Sequence, residues 1–170
     1  MTQNINLHQT VLGIDPGYDR LGWAIATIDN SSCSVLDYGC IQTKKTEDLF
    51  TRYSDLEKQL EKVVEKFQPS VAAIESLFFF KNKTTALKVS EARGVVIISL
   101  IKRKIKIFEY TPLQIKETVT GFGRADKKAV EKMVRMELGL KKHKVIDDAI
   151  DALAVIMTHR IRNRNHKYYA

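Results

Sequence analysis

Residues 11–17 read Val-Leu-Gly-Ile-Asp-Pro-Gly, an apolar run closed by one aspartate and an immediate turn. The pattern describes a buried strand that stops abruptly, leaving the Asp15 carboxylate at a fixed point on the rim of a sheet. A carboxylate mounted this way suits a hard cation such as Mg²⁺, which prefers oxygen ligands. Asp-Pro-Gly is equally an ordinary turn, because all three residues favour turns. Which reading holds depends on whether other acids converge on Asp15.

The rest of the chain alternates. Residues 22–28 and 34–41 read as two further strands, joined by a hairpin turn at Asp29-Asn-Ser-Ser32. Residues 46–67 carry Leu49, Tyr53, Leu56, Leu60, Val63, Val64 and Phe67 at helical spacing, and Pro69 follows the end. A short apolar strand at 71–75, a long helix at 82–103 and a strand at 105–110 come next. Helices at 112–120, 126–138 and 147–162 complete the series. Three meandering strands followed by strands alternating with helices imply an α/β domain on a mixed five-stranded sheet flanked by helices. The expected organisation is a flexible N-terminus over 1–10, one domain over 11–162 and a basic tail over 163–170.

Three more carboxylates stand out. Glu75 closes the fourth strand as Asp15 closes the first, so parallel neighbouring strands would bring both to one sheet edge. Asp148 and Asp151 lie three apart at the start of the last helix and share a face. The helix dipole favours their charge, and Asp147 can serve as the N-cap. Most of that helix is apolar, and unpaired charge beside apolar surface is costly. Singly, these acids are compatible with a salt bridge, a cap or a solvated strand end. Jointly, two strand-end acids and an acidic helix pair make a site for two hard cations that needs no histidine.

Charge points to the partner. Lys and Arg number 28 against 20 Asp and Glu, a net charge of +8, and the bases are grouped along the chain. Such a surface suits a polyanion, since each neutralised phosphate releases counterions. A cation-binding acidic site on a basic chain points to phosphodiester hydrolysis assisted by two divalent ions. Cys33 and Cys40 form no CxxC pair, the four histidines are scattered, and zinc has little support. No apolar run is long enough to span a membrane, and the polar first ten residues lack the regions of a signal peptide. A reducing cytoplasm is the expected setting.

These residues carry a resemblance. Gly-Ile-Asp-Pro-Gly (13–17), Ala-Ile-Glu (73–75) with Phe78 and Lys81-Asn82, and Ala86-Leu-Lys88 with Ala92-Arg-Gly94 are its first segments. Phe108-Glu-Tyr110, Gln114-Ile-Lys116, Thr120-Gly121 through Arg124-Ala-Asp-Lys127, and Asp148-x-x-Asp151-Ala-Leu follow in order. The series resembles the RuvC family of Holliday junction resolvases (crossover junction endodeoxyribonucleases), over about residues 11–160. Gly-Ile-Asp-Pro-Gly alone is shared by several families; the ordered series is far more specific.

The resemblance implies a ribonuclease H-like fold. It implies that Asp15, Glu75, Asp148 and Asp151 form a catalytic acidic tetrad holding Mg²⁺ or Mn²⁺, with two ions per site. It matches Lys116 and Lys127 to lysines that contact the scissile strand, and Phe78 to an aromatic wedge able to stack on an unpaired base. Lys81, Asn82 and Arg124 join them as expected DNA contacts. Solvated lysines remain the ordinary alternative for Lys116 and Lys127. Phe79 and Phe80 alternate sides in an extended segment, so at least one of them is expected in the core.

The resemblance further implies four-way junction DNA as substrate, a homodimer matching its two-fold symmetry, and cooperation with a branch-migration motor. The 82–103 helix, with Val89, Ala92, Val95, Val96, Ile97 and Leu100 on more than one face and Gly94 permitting close approach, is the candidate interface. Burial of this helix within the monomer is the competing reading. Two departures are visible: Tyr18 replaces a small residue beside the acidic loop, and residues 141–146 differ from better-known members. Three other readings stand beside this one. They are a related nuclease acting on other structured nucleic acid, a non-catalytic junction-binding protein, and an actin-like ATP-binding domain. The last would need two lobes that the 170 residues do not supply.

Overall fold

The computed structural model of the protein describes residues 9–29, 32–77, 83–140 and 145–166. Three strands come first: β1 (Gln9–Asp15), β2 (Arg20–Ile28) and β3 (Cys33–Gln42). The chain then runs through α1 (Leu49–Phe67), β4 (Val71–Glu75), α2 (Lys83–Lys102), β5 (Lys106–Tyr110), α3 (Pro112–Thr120), α4 (Lys127–Glu137) and α5 (Asp147–His166). The sheet order is β3-β2-β1-β4-β5. The first three strands are antiparallel, while β1–β4 and β4–β5 pair in parallel. This is the mixed five-stranded sheet that the alternation implies.

Strand periodicity splits the core into two layers. Leu12, Ile14, Ala72 and Ile74 face Leu56 and Leu60 of α1 and Ala92, Val96 and Leu100 of α2. Val11 and Ala73 face the other way, onto Ala152, Leu153 and Ile156 of α5. Asp15 and Glu75, in step with Val11 and Ala73, therefore emerge on the α5 side. Helix α5 sits close to the sheet: a Cβ added at Gly13 would lie 2.3 Å from the Ala152 carbonyl oxygen. Glycine is the residue that permits such an approach within a strand.

Four details depart from the sequence-based reading. Helix α1 starts at Leu49 rather than Thr46, because the Asp48 carboxylate accepts from the backbone N–H groups of Phe50 (2.9 Å) and Thr51 (3.0 Å) and caps the helix there. Asp147 is the first helical residue rather than the cap, since Ala149 and Ile150 donate to the Ile146 carbonyl. Helix α5 also runs one turn past Arg162. In α2, Val89, Ala92, Val96 and Leu100 are buried inside the chain, so these interface candidates are core residues. The outward face of α2 instead carries Leu87, Ile98 and Ile101.

His159 lies fully buried on α5, hydrogen-bonded through Nδ1 to the Tyr110 hydroxyl at 2.9 Å and with its ring tilted against Phe108. Burial, reinforced by the Lys106 charge, lowers its pKa from 6.5 to about 4. The folded protein thus keeps the ring neutral where the unfolded chain would protonate it. Stability from this group is complete above pH 6.5 and is lost as pH falls toward 4. Urea unfolding of the native protein should therefore lose up to about 3 kcal/mol over that interval relative to a His159→Gln variant. Parallel pH profiles for the two proteins would refute the neutral buried imidazole.

Candidate active site

The strand ends set the site's first two groups. Ile14 is paired with Ile74 in the parallel β1–β4 ladder, so Asp15 and Glu75 follow side by side. Across the sheet, Asp15 pairs with Gly22, Gly22 with Cys40, and Glu75 with Tyr110. One transverse row thus carries both carboxylates at the sheet's edge, where Pro16 and Gly17 turn the chain away.

Helix α5 supplies the other two acids. Its first turn rests on Gly22: a Cβ there would lie 2.0 Å from the Asp148 carbonyl oxygen and 3.0 Å from Asp148 Cβ. Asp148 is therefore placed over the strand neighbouring Asp15. Asp151, one turn on, lines a cleft of about 520 Å³ together with Asp15, Glu75, Lys116 and Lys127. Both α5 acids have basic partners. Arg20, the first residue of β2, donates from Nε to Asp148 Oδ2 at 2.8 Å and from a terminal nitrogen to the same oxygen. Lys127 Nζ, at the start of α4, donates to Asp151 Oδ2 at 2.9 Å.

The four acids feel one another. Burial first, then the charges of Glu75, Asp151 and Asp148, push the Asp15 carboxyl up to about 8. Glu75 rises to about 7, again mainly by burial and then by Asp151; a hydrogen bond with Asp15 and the charges of Lys116 and Lys127 oppose the rise. Asp151 is raised by burial against the pull of Lys127. Burial works against the Lys127 ammonium, yet its hydrogen bond to Asp151 and the charges of Asp151, Asp147 and Asp148 prevail and raise its pKa. Crowded, part-buried carboxyl oxygens hold protons because their negative charge is under-compensated, and an all-oxygen acidic set of this kind fits a hard divalent cation. Among the described residues no three acidic, histidine or cysteine side chains are gathered in ligating geometry; Asp148 and Asp151 are turned to their basic partners.

The loop after Asp15 is pinned from behind. Arg52 of α1 is buried, donates from Nε to Thr43 Oγ1 at 2.9 Å and from Nη2 to the Tyr18 carbonyl at 3.2 Å, and pairs with Asp19. Thr43 Oγ1 also donates to the Tyr18 carbonyl, and the Tyr18 ring packs under the Arg52 guanidinium. Tyr18 is thus taken up by Arg52. Neither Arg20 nor Arg52 stood out in the sequence, where one reads as a turn residue and the other as a polar helix position.

Among the expected DNA contacts, Lys116 on α3 and Lys127 border the acids, whereas Arg124 is exposed in the loop before α4 and does not line the cleft. Phe78, Lys81 and Asn82 lie outside the described residues, as do Phe79, Phe80 and residues 141–144. No helix among the described residues is long and apolar enough to cross a membrane.

The sheet order, the parallel β1–β4 pair and the terminal helix across the sheet define a ribonuclease H-like fold. Comparison with known proteins narrows this. The family model for crossover junction endodeoxyribonuclease RuvC matches residues 11–159. The crossover junction endodeoxyribonuclease RuvC of Petrotoga mobilis is 43% identical over 157 residues, covering 92% of this chain and 96% of that protein. Its counterpart in Finegoldia magna is 46% identical over 149 residues, covering 88% and 91%. Among solved structures, Thermus thermophilus RuvC in complex with Holliday junction substrate superposes with a TM-score of 0.87 at 31% identity, covering 94% of this chain and 97% of that one. The chain belongs to the RuvC family of crossover junction endodeoxyribonucleases.

Because Gly22 lets Asp148 rest on β2, Gly22→Ala must push the start of α5 outward. Urea denaturation should show a loss of about 1–3 kcal/mol, the usual cost of overpacking. An unchanged unfolding midpoint would mean that α5 is not held at this contact.

Proposed function

We propose that this protein resolves Holliday junctions by paired, symmetric nicks, hydrolysing one phosphodiester in each of two opposed strands during recombination and DNA repair. The observation that carries the reading is the convergence of Asp15 and Glu75, from adjacent parallel strand ends, with Asp148 and Asp151 of α5 on a basic chain of the RuvC family. Asp15, Glu75, Asp148 and Asp151 are the proposed catalytic, metal-holding residues. Bound there, a pair of Mg²⁺ or Mn²⁺ ions would supply activation of water and neutralisation of the leaving oxygen.

The chain's own residues do the rest. Asp15 and Glu75 present oxygens from a rigid sheet edge, and Asp148 and Asp151 close the set from α5. Lys116 and Lys127 place positive charge where a backbone phosphate enters the cleft. Arg124 and Lys81 extend this basic contact along the DNA, joined by the neutral amide of Asn82, and Phe78 stacks on an unpaired base at the junction centre. The cytoplasm is the proposed setting, and a branch-migration motor that moves the junction is the proposed partner.

A homodimer suits a two-fold substrate. The outward face of α2 supports one: Leu87, Ile98 and Ile101 are 66%, 46% and 55% exposed, spaced along one side of the helix with Gly94 among them. A Cβ added at Gly94 would meet nothing within 4 Å, so its smallness serves no packing inside the chain.

Two experiments test the reading. An Asp15→Asn protein should bind a synthetic four-way junction while cleavage with Mg²⁺ drops by more than the ~10–100-fold usual for losing an outer partner of a metal ligand. Cleavage of the junction should also vanish in EDTA, and a linear duplex should stay intact throughout. Undiminished cleavage by Asp15→Asn would remove Asp15 from the chemistry. Separately, Ile98→Asp should shift the protein toward monomer in analytical ultracentrifugation and abolish paired nicking. A stable Ile98→Asp dimer would place the interface elsewhere.

A further inference from the structure

The four carboxylates are not equally compensated. Among the described residues Asp15 and Glu75 have no ion pair, whereas Asp151 holds Lys127 and Asp148 holds Arg20. The two pairs differ in origin. Lys127 comes from α4 and belongs to the basic set that faces the cleft. Arg20 comes from β2, five residues after Asp15, and places two of its nitrogens on one oxygen, Asp148 Oδ2, with the Cys40 side chain also beside it.

Such an arrangement puts a guanidinium on a carboxylate oxygen that a divalent ion would also need. Arg20 approaches from the solvent side: its side chain is 47% exposed, against 21% for Asp148. A half-exposed ion pair is weak enough to exchange, and a long arginine side chain can leave without disturbing the strand that bears it. Among the described residues the Asp15–Glu75 side has no comparable competitor, because its opposing charges, Lys116 and Lys127, act without an ion pair to either acid.

We propose that Arg20 is a displaceable counter-ion of Asp148, competing with the divalent cation for that carboxylate. It thereby makes the α5 side the weaker of two unequal cation positions. Resting on the four-acid reading above, this adds a positioning residue that sets the order in which the site fills: the Asp15–Glu75 side first, the Asp148 side second. A purely structural clamp, holding Asp148 in ligating orientation, would have the opposite effect on affinity when removed, so the sign of the change decides between them.

The test is calorimetric titration of the full-length protein with Mn²⁺ in the absence of DNA. In the wild type two unequal steps are expected. Arg20→Ala should tighten the weaker step about 2- to 5-fold, the size of a half-exposed ion pair, and leave the stronger step unchanged. Arg20→Lys should fall between the two proteins, and Arg20→Gln provides a second charge-free variant should Arg20→Ala fold poorly. Asp148→Asn should lose the weaker step, and adding Arg20→Ala to it should change nothing further. Weaker or unchanged binding in both charge-free variants overturns the proposal, as does a single step in the wild type. Two intact steps in Asp148→Asn would instead defeat the four-acid reading on which it rests.

Discussion

Helix α5 lies against β1 and β2 at backbone contact distance, and two glycines make room for it. Gly13 admits the Ala152 carbonyl, and Gly22 admits the backbone of Asp148. The helix is buried from Ala152 to His159, so its position is set by the whole core and by its neighbours α3 and α4. Close packing tolerates little displacement, because a shift of one methyl group is felt throughout such an interior. The same contact that completes the core therefore fixes Asp148 and Asp151 relative to Asp15 and Glu75. Stability and site geometry have a common origin here.

That rigidity works against electrostatics. Hydrophobic packing brings four acids into one region and partly removes them from water, which raises Asp15 and Glu75 to about 8 and 7. The fold offsets this unevenly, with basic residues on the α5 acids and a shared hydrogen bond on the strand acids. Arg52 illustrates the opposite solution: a buried guanidinium satisfied by Thr43, Tyr18 and Asp19, holding the loop after Asp15 without facing the cleft. Among the described residues, Asp15 and Glu75 at the cleft have no such ion pair, whereas Arg52 has one with Asp19.

Much of this was legible in the chain itself. The strand at 71–75 and the helix at 112–120 read directly, because short apolar runs and the Thr111-Pro112 start leave few alternatives. The four acids were legible because each stands at the end of an apolar element, where a lone charge demands a reason. Asp48 as cap and Ile146 ahead of Asp147 were not, since several polar residues near each boundary could have served. The partition of α2 was hidden for a different reason. Its apolar residues cover several faces, and only the packing of α1 and β5 decides that Val96 is core and Ile98 is surface. Arg20 was invisible because its role depends on a partner 128 positions away, brought near by the smallness of Gly22.

The parallel β1–β4 pair and the terminal position of α5 also bear on how the molecule comes into being. Asp15 leaves the ribosome early, Glu75 midway, and Asp148 and Asp151 only with the last of the described helices. Until then β1 and β2 have one bare face, and the two strand acids stand side by side without Asp148 and Asp151. The burial that finishes the core also assembles the acids. The first 75 residues are net acidic, so the basic surface too, like the gathering of the four acids, awaits the later part of the chain.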